Sequence, residues 1–183
     1  DFTVEVLPQI DSTNSELMRR VRAGHFEPTL LVAEQQTAGR GRLGRDWHSA
    51  VGDSLTFSLA LPLAPHDWSG LSLAVGLAVA EALHPAIGLK WPNDLWWQDR
   101  KLAGILVETT GGAQVPDERW VVIGVGLNLA PRALAGVSTG VLLIAAYVLS
   151  GLCAAIAGII AAADIRGADA NNAGLWLELD AIL

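Results

Sequence analysis

Cysteine occurs once in the 183 residues, at Cys153, so no intrachain disulfide can staple the fold, and a reducing compartment suits the chain. Basic residues are also scarce. Twelve Lys and Arg stand against nineteen Asp and Glu, for a formal charge of −7. Such a balance excludes broad electrostatic binding to nucleic acid or to an anionic membrane, and any cationic chemistry must be local. No signal-peptide pattern is visible at the start, where Asp1 to Val6 already has the pattern of a strand, and the missing initiator Met suggests a processed or partial chain. Neither an internal repeat nor a low-complexity stretch interrupts the first 130 residues.

What is present divides into two unlike parts. Up to about Ala130, short β-rich runs alternate with one or two amphipathic helices, punctuated by Gly, Pro and Asn. Phe2 to Leu7, Thr29 to Ala33, Ser54 to Leu61, Ile87 to Trp91, Gly104 to Glu108 and Trp120 to Val125 have strand patterns. Thr13-Asn14-Ser15-Glu16 has the form of a capping box opening a helix that Gly24 closes, and Leu71 to Leu83 repeats apolar residues at helical spacing before Pro85. These elements predict an α+β domain, a mixed sheet with helices packed on one face. From Val141 to Ala163, by contrast, no residue is charged, and at about 1.5 Å per residue the run is long enough to cross a bilayer core of about 30 Å. The same pattern also fits a buried helix of a soluble protein, and periodicity alone favours neither.

The scarce positive charge is concentrated. Gly39-Arg40-Gly41-Arg42-Leu43-Gly44-Arg45 places three arginines in seven positions. The run satisfies the dinucleotide fingerprint G-x-G-x-x-G, but that motif requires a helix directly after the glycines, and Asp46 to Asp53 is turn-like and leads into a strand. No G-x-x-x-x-G-K-[ST] run occurs either. What remains is a glycine-rich loop whose guanidinium forks and backbone N–H groups suit carboxylate or phosphate. Taken alone it could equally be a solvated charged loop.

It does not stand alone. Asp11-Ser12-Thr13-Asn14 lies upstream, and Lys90-Trp91-Pro92-Asn93-Asp94, Lys101 to Glu108 and Gly124-Val125-Gly126-Leu127-Asn128 follow. In this order the motifs resemble the catalytic core of biotin protein ligases over about residues 1–130. The resemblance implies a class II synthetase-like biotin/lipoate ligase fold and two half-reactions: formation of biotinyl-adenylate from biotin and Mg-ATP, then transfer of biotin to one lysine of a biotin carboxyl carrier protein domain. It implies Arg42, Lys101 and Asp94 as catalytic groups. Ser12, Thr13, Gln36, Gly39, Arg40 and Gly104 would contact biotin, and Arg45, Trp47, Asn93 and Asn128 the nucleotide side. It supplies no metal ligand, and it leaves a homodimer open. A cytoplasmic enzyme is expected.

The chain also departs from that family. No helix-turn-helix pattern precedes the core, so no repressor role is expected of these residues, and the C-terminal β-barrel domain that helps bind ATP is not found. Residues from about 138 to 183 instead resemble part of a permease subunit of sugar ABC importers. The expected division is therefore a catalytic domain over 1–133, incomplete at its C-terminal end, and an apolar helical segment over 134–183 that meets a membrane only if it inserts. For the join near Pro131 to Ser138, a fusion, a gene-model error and an assembly artefact stay open. Lipoate or octanoate ligases, which share the fold, and a non-catalytic permease fragment are the alternative readings.

Overall fold

The computed structural model describes residues 3–65, 68–110 and 119–129. Strands and helices follow in the order β1 (Thr3–Ile10), α1 (Thr13–Arg22), β2 (Thr29–Gln36), β3 (Gly39–Arg40), β4 (Asp46–Trp47), β5 (Ser54–Leu63), α2 (Leu71–Leu83), β6 (Gly88–Lys90), β7 (Asp94–Trp97), β8 (Arg100–Thr110) and β9 (Arg119–Asn128). Seven of the strands form one mixed sheet, ordered β1-β2-β5-β9-β8-β7-β6, and β3 and β4 pair as a separate ribbon. Within the large sheet β1 and β2 run parallel, joined through α1, and the other pairings are antiparallel.

The mixed sheet matches the expectation, but the two helices do not share one face. Alternate residues of a strand point to opposite sides. In β9, Val121, Ile123, Val125 and Leu127 join the core under α2 with Phe57, Val75, Val79 and Ile105. Trp120 and Val122 join a second core under α1, with Leu17, Met18, Val21, Leu31 and Ala60. Each helix thus buries apolar residues on its own side. The reason lies in β2, β5 and β9, which carry apolar residues at both parities, as strands covered on both faces do.

Two local expectations also shift. The N-cap of α1 is Ser12, whose hydroxyl accepts from the Ser15 N–H at 3.4 Å, one residue before the cap that the Thr13–Glu16 pattern implies. Thr13 is engaged elsewhere, its hydroxyl meeting Ser58 and Gln36, and Glu16 turns to Arg19 and Arg20. The strand pattern also omits β7. That strand turns into β8 through Gln98 and Asp99, both with positive φ (48° and 58°), so Lys101 lies in a strand. Helix α2 has the bounds its periodicity predicts, ending just before Pro85. The apolar run Val141–Ala163 lies outside the described residues, and among the described residues no helix is long and apolar enough to cross a membrane.

Candidate active site

The α1 side of the sheet is not filled where β9 runs through Gly124-Val125-Gly126. A Cβ at Gly124 would overlap the Asn14 carboxamide, and one at Gly126 would overlap the Trp47 indole. The glycines therefore let α1 and the β3–β4 ribbon come down onto the sheet, and between these elements lies a cavity of about 580 Å³. Its volume falls within the range of small-molecule sites.

One end of the cavity is polar and buried. Ser12, Thr13, Asn14, Gln36 and Ser58 line it. The Thr13 backbone N–H donates to Gln36 Oε1 at 2.7 Å, and the Thr13 hydroxyl lies 3.0 Å from the same oxygen and 2.7 Å from Ser58 Oγ. Ser58 donates to Asn14 Oδ1 at 2.5 Å, while Asn14 Nδ2 donates to the Leu106 carbonyl at 3.3 Å and to Glu108 at 3.0 Å. Ser49 holds Gln36 by both backbone groups, accepting from its N–H at 2.7 Å and donating to its C=O at 3.2 Å. Beside this end, Asp11 pairs with Arg19 at 2.7 Å and accepts from the Ser12 N–H at 2.7 Å. The Arg19 guanidinium, with the Ser12 N–H assisting, holds the Asp11 carboxyl below its usual range.

The other end is cationic. Arg40, Arg42, Arg45, Lys90 and Lys101 line the cavity, against the acids Asp46 and Asp94, so its balance is positive in an acidic chain. In the ribbon, Gly41 donates to the Arg45 carbonyl at 2.7 Å across a 3-10 turn at Arg42–Gly44, and Leu43 at its tip is 89% exposed. Arg42 lies 3.5 Å from Asn93 Oδ1, and Asn93 Nδ2 donates to the Ile105 carbonyl at 2.7 Å. The irregularity between β7 and β8 pairs Leu95 with Ala103 and Trp96 with Lys101, leaving Leu102 over as a bulge. That extra residue turns Lys101 toward the cavity beside Gly104, where its ammonium pairs with Asp94 at 2.7 Å. Trp47 lies across Gly104 and Gly126, with its indole ring 5.7 Å from the Lys101 ammonium.

Of the residues singled out from the sequence, all but Gly39 and Asn128 line the cavity. Those two act from outside it. A Cβ at Gly39 would overlap the Trp47 carbonyl oxygen, so this glycine lets the ribbon close, and the Asn128 carboxamide donates to the Lys101 carbonyl at 3.1 Å, pinning the bulge. The Arg40 guanidinium is paired with Glu108 at 2.8 Å and sits 3.3 Å from Ser15 Oγ, which ties the ribbon to β8 and α1. Asn14, Ser58 and Lys90 also line the cavity, with Glu108 behind Asn14; Asn14, Lys90 and Glu108 stand within the motifs but were given no role there, and Ser58 lies in none of them. A signal for Ser58 was available, because Ser54, Thr56 and Ser58 form a polar stripe of period two in an otherwise apolar strand, and all three are buried.

Residues 6–128 match the model of the biotin/lipoate A/B protein ligase family. The chain is 47% identical over 137 residues to the bifunctional ligase/repressor BirA of Escherichia coli, covering 71% of this chain and 41% of that protein. It is 39% identical over 137 residues to a biotin–[acetyl-CoA-carboxylase] ligase of Mycobacterium tuberculosis, covering 69% of this chain and 49% of that one. The chain thus spans less than half the length of these relatives. Among solved structures, a Helicobacter pylori biotin acetyl coenzyme A carboxylase synthetase with bound biotinylated ATP aligns with a TM-score of 0.67 at 29% identity, covering 83% of this chain and 74% of that one. The biotin protein ligase of Aquifex aeolicus in complex with biotin and ATP aligns with a TM-score of 0.63 at 30% identity, over 86% and 72% of the two chains. Residues 120–183 match a second model, the permease component of branched-chain amino acid transport systems. There the chain is 73% identical over 59 residues to the galactofuranose transporter permease protein YtfT of Escherichia coli, covering 32% of this chain and 17% of that protein. Residues 120–128 fall in both matched ranges, and they pair with β5 and β8 in the sheet.

Proposed function

Because the chain belongs to the biotin/lipoate A/B protein ligase family, we propose that it is a biotin protein ligase, activating biotin with ATP and transferring it to a lysine of a biotin carboxyl carrier protein domain in the cytoplasm. The observation that carries this reading is the two-ended cavity: a buried polar end made by α1, β2 and β5 lies next to a cationic end made by the ribbon and β8. A ligand with a polar head and a carboxylate tail fits both ends at once.

In the first half-reaction an oxygen of the biotin carboxylate attacks the α-phosphorus of ATP. The bond to pyrophosphate breaks, and biotinyl-adenylate remains. Two anions must meet, so cations are needed where charge develops. Arg42 and Lys101 serve there, Arg42 from the ribbon and Lys101 from the bulge. Arg45 and Trp47 take the nucleotide side, and Asn93 supports Arg42. Ser12, Thr13 and Gln36 hold the ureido ring, with Gly39 and Gly104 allowing backbone to approach it. Ribbon ordering around the adenylate shields the mixed anhydride from water.

In the second half-reaction the carrier lysine attacks the carbonyl carbon, AMP leaves, and an amide forms. Asp94 receives the proton shed by the amine, its carboxylate being held in place by Lys101. Among the described residues no group of three or more His, Cys, Asp or Glu is placed to hold a metal ion. Magnesium would enter with the nucleotide, held by its phosphates, and no step above depends on a protein-held ion.

The ligase part of the proposal runs to residue 133, with 134–183 as a segment of other origin; sequencing the gene across Pro131 to Ser138 checks the join. The function is tested by mass spectrometry of a carrier domain incubated with the intact chain, ATP, Mg2+ and either biotin or lipoic acid. A biotin-sized gain on one lysine supports the proposal. Gain of a lipoyl mass alone moves the assignment to the lipoate branch of the family, and no gain with either acid overturns transfer activity in this chain.

A further inference from the structure

We infer that Asn14 and Ser58 are specificity-determining positioning residues: they fix the hydroxyl hydrogens of the polar end so that Thr13 and Gln36 face the cavity as a pair of acceptors, selecting a ligand that brings an N–H donor. The inference rests on the biotin reading and deepens it, because the ureido ring carries N–H groups whereas lipoic and octanoic acids carry none.

The argument is a count of hydrogens. Asn14 Nδ2 faces the Leu106 carbonyl at 3.3 Å and Glu108 Oε2 at 3.0 Å, so reversing this amide would set oxygen against two acceptors. Gln36 Oε1 receives the Thr13 backbone N–H at 2.7 Å, which fixes the other amide. Between these two carbonyl oxygens stand two hydroxyls and three short contacts: Asn14 to Ser58 at 2.5 Å, Ser58 to Thr13 at 2.7 Å, and Thr13 to Gln36 at 3.0 Å. Two hydroxyl hydrogens cannot fill three contacts. Gln36 Oε1 already has a donor in the Thr13 backbone, whereas Asn14 Oδ1 has only Ser58 among the described residues. The hydrogens therefore go to the two shorter contacts, Ser58 donating to Asn14 and Thr13 to Ser58. Oxygen then faces oxygen across the 3.0 Å contact between Thr13 and Gln36.

Both of these side chains are more than nine-tenths buried, and both line the cavity. Buried lone pairs without a donor are costly, and a ligand N–H placed between them removes that cost. A ligand with only C–H or an acceptor there leaves it in place. Glu108 holds the whole arrangement from one end, since its carboxylate takes both the Asn14 amide and Arg40.

The test is calorimetric titration of the intact chain with biotin, with a biotin analogue methylated on its ureido nitrogens, and with lipoic acid. In the wild type, biotin should bind at least about tenfold more tightly than either comparison ligand. Ser58→Ala leaves Thr13 no oxygen to donate to except Gln36, which closes the acceptor pair. That variant should bind biotin about tenfold more weakly while binding the methylated analogue as before, so discrimination collapses. Thr13→Val should collapse it too and Thr13→Ser should keep it, which maintains the test if Ser58→Ala does not fold. A ratio of affinities unchanged in Ser58→Ala and Thr13→Val would mean that the methyl groups act by size alone, and would overturn the inference while leaving the ligase assignment intact. Failure of the wild type to bind biotin would overturn the assignment itself and the inference with it.

Discussion

The two faces of one strand separate stability from chemistry. On the α2 side of β9, Val121, Ile123, Val125 and Leu127 are almost wholly buried and pack with Phe57, Ile105 and the helix. On the α1 side the strand carries Gly124 and Gly126, and the space they leave is closed by Asn14, Trp47 and the cationic ribbon. Residues one position apart therefore have opposite duties. Large side chains on one parity secure the sheet, and missing side chains on the other let a cavity form directly on its surface.

The sharpest way to break this comparison is to remove a cation from the cavity side. Lys101→Ala and Arg42→Ala should each lower biotin-dependent exchange of pyrophosphate into ATP on the order of a hundredfold or more, with circular dichroism unchanged. Near-normal exchange would remove these residues from the first half-reaction. The reciprocal change, Ile123→Ala on the α2 side, should cost about 2–5 kcal/mol in denaturant unfolding and leave ligand affinity of the folded fraction alone.

Gly126→Ala is intermediate. Its Cβ must displace the Trp47 indole, so about 1–3 kcal/mol of stability and most nucleotide affinity should go together. Binding measured in the folded fraction checks this, and an unaltered nucleotide affinity would show that Trp47 does not cover the nucleotide side.

The smallest effect concerns pH. Arg20 and Arg19 hold the Glu16 carboxyl below its usual value, and Arg19 does the same for Asp11. Carboxyls with lowered folded-state pKa stabilise the fold above their unfolded values of 4.5 and 3.8, and that stability is lost as pH falls through the folded values. Stability measured from pH 6 down to about pH 3 should therefore fall, and less steeply in Arg19→Gln. Parallel curves would show that these surface pairs contribute nothing measurable.

Much of this was legible in advance, for reasons particular to each element. Helix α2 was readable to the residue because a regular apolar spacing meets Pro85. The site motifs were readable because reactions between anions need cations on glycine-rich backbone, and charge and glycine are both visible in a string of letters. The placement of the helices was not. Parity along β2, β5 and β9 shows two apolar faces, but which helix takes which face depends on pairing order, a tertiary property. Strand β7 escaped because its turn, Gln98-Asp99, takes positive φ without glycine or asparagine. The Lys101 bulge escaped because a one-residue irregularity leaves no trace in composition. Ser58 left only the trace of a polar stripe, Ser54-Thr56-Ser58, because its part and that of Asn14 is to orient Thr13 and Gln36, which the distances between them show.

The central claim is that the cavity beneath α1 and the arginine ribbon activates biotin. Exchange of labelled pyrophosphate into ATP by the purified intact chain tests it most directly, since exchange needs the first half-reaction alone and no carrier. The account predicts exchange that requires biotin, is not supported by lipoic acid, and disappears in Lys101→Ala. Absence of biotin-dependent exchange, or exchange that persists in Lys101→Ala, would contradict it.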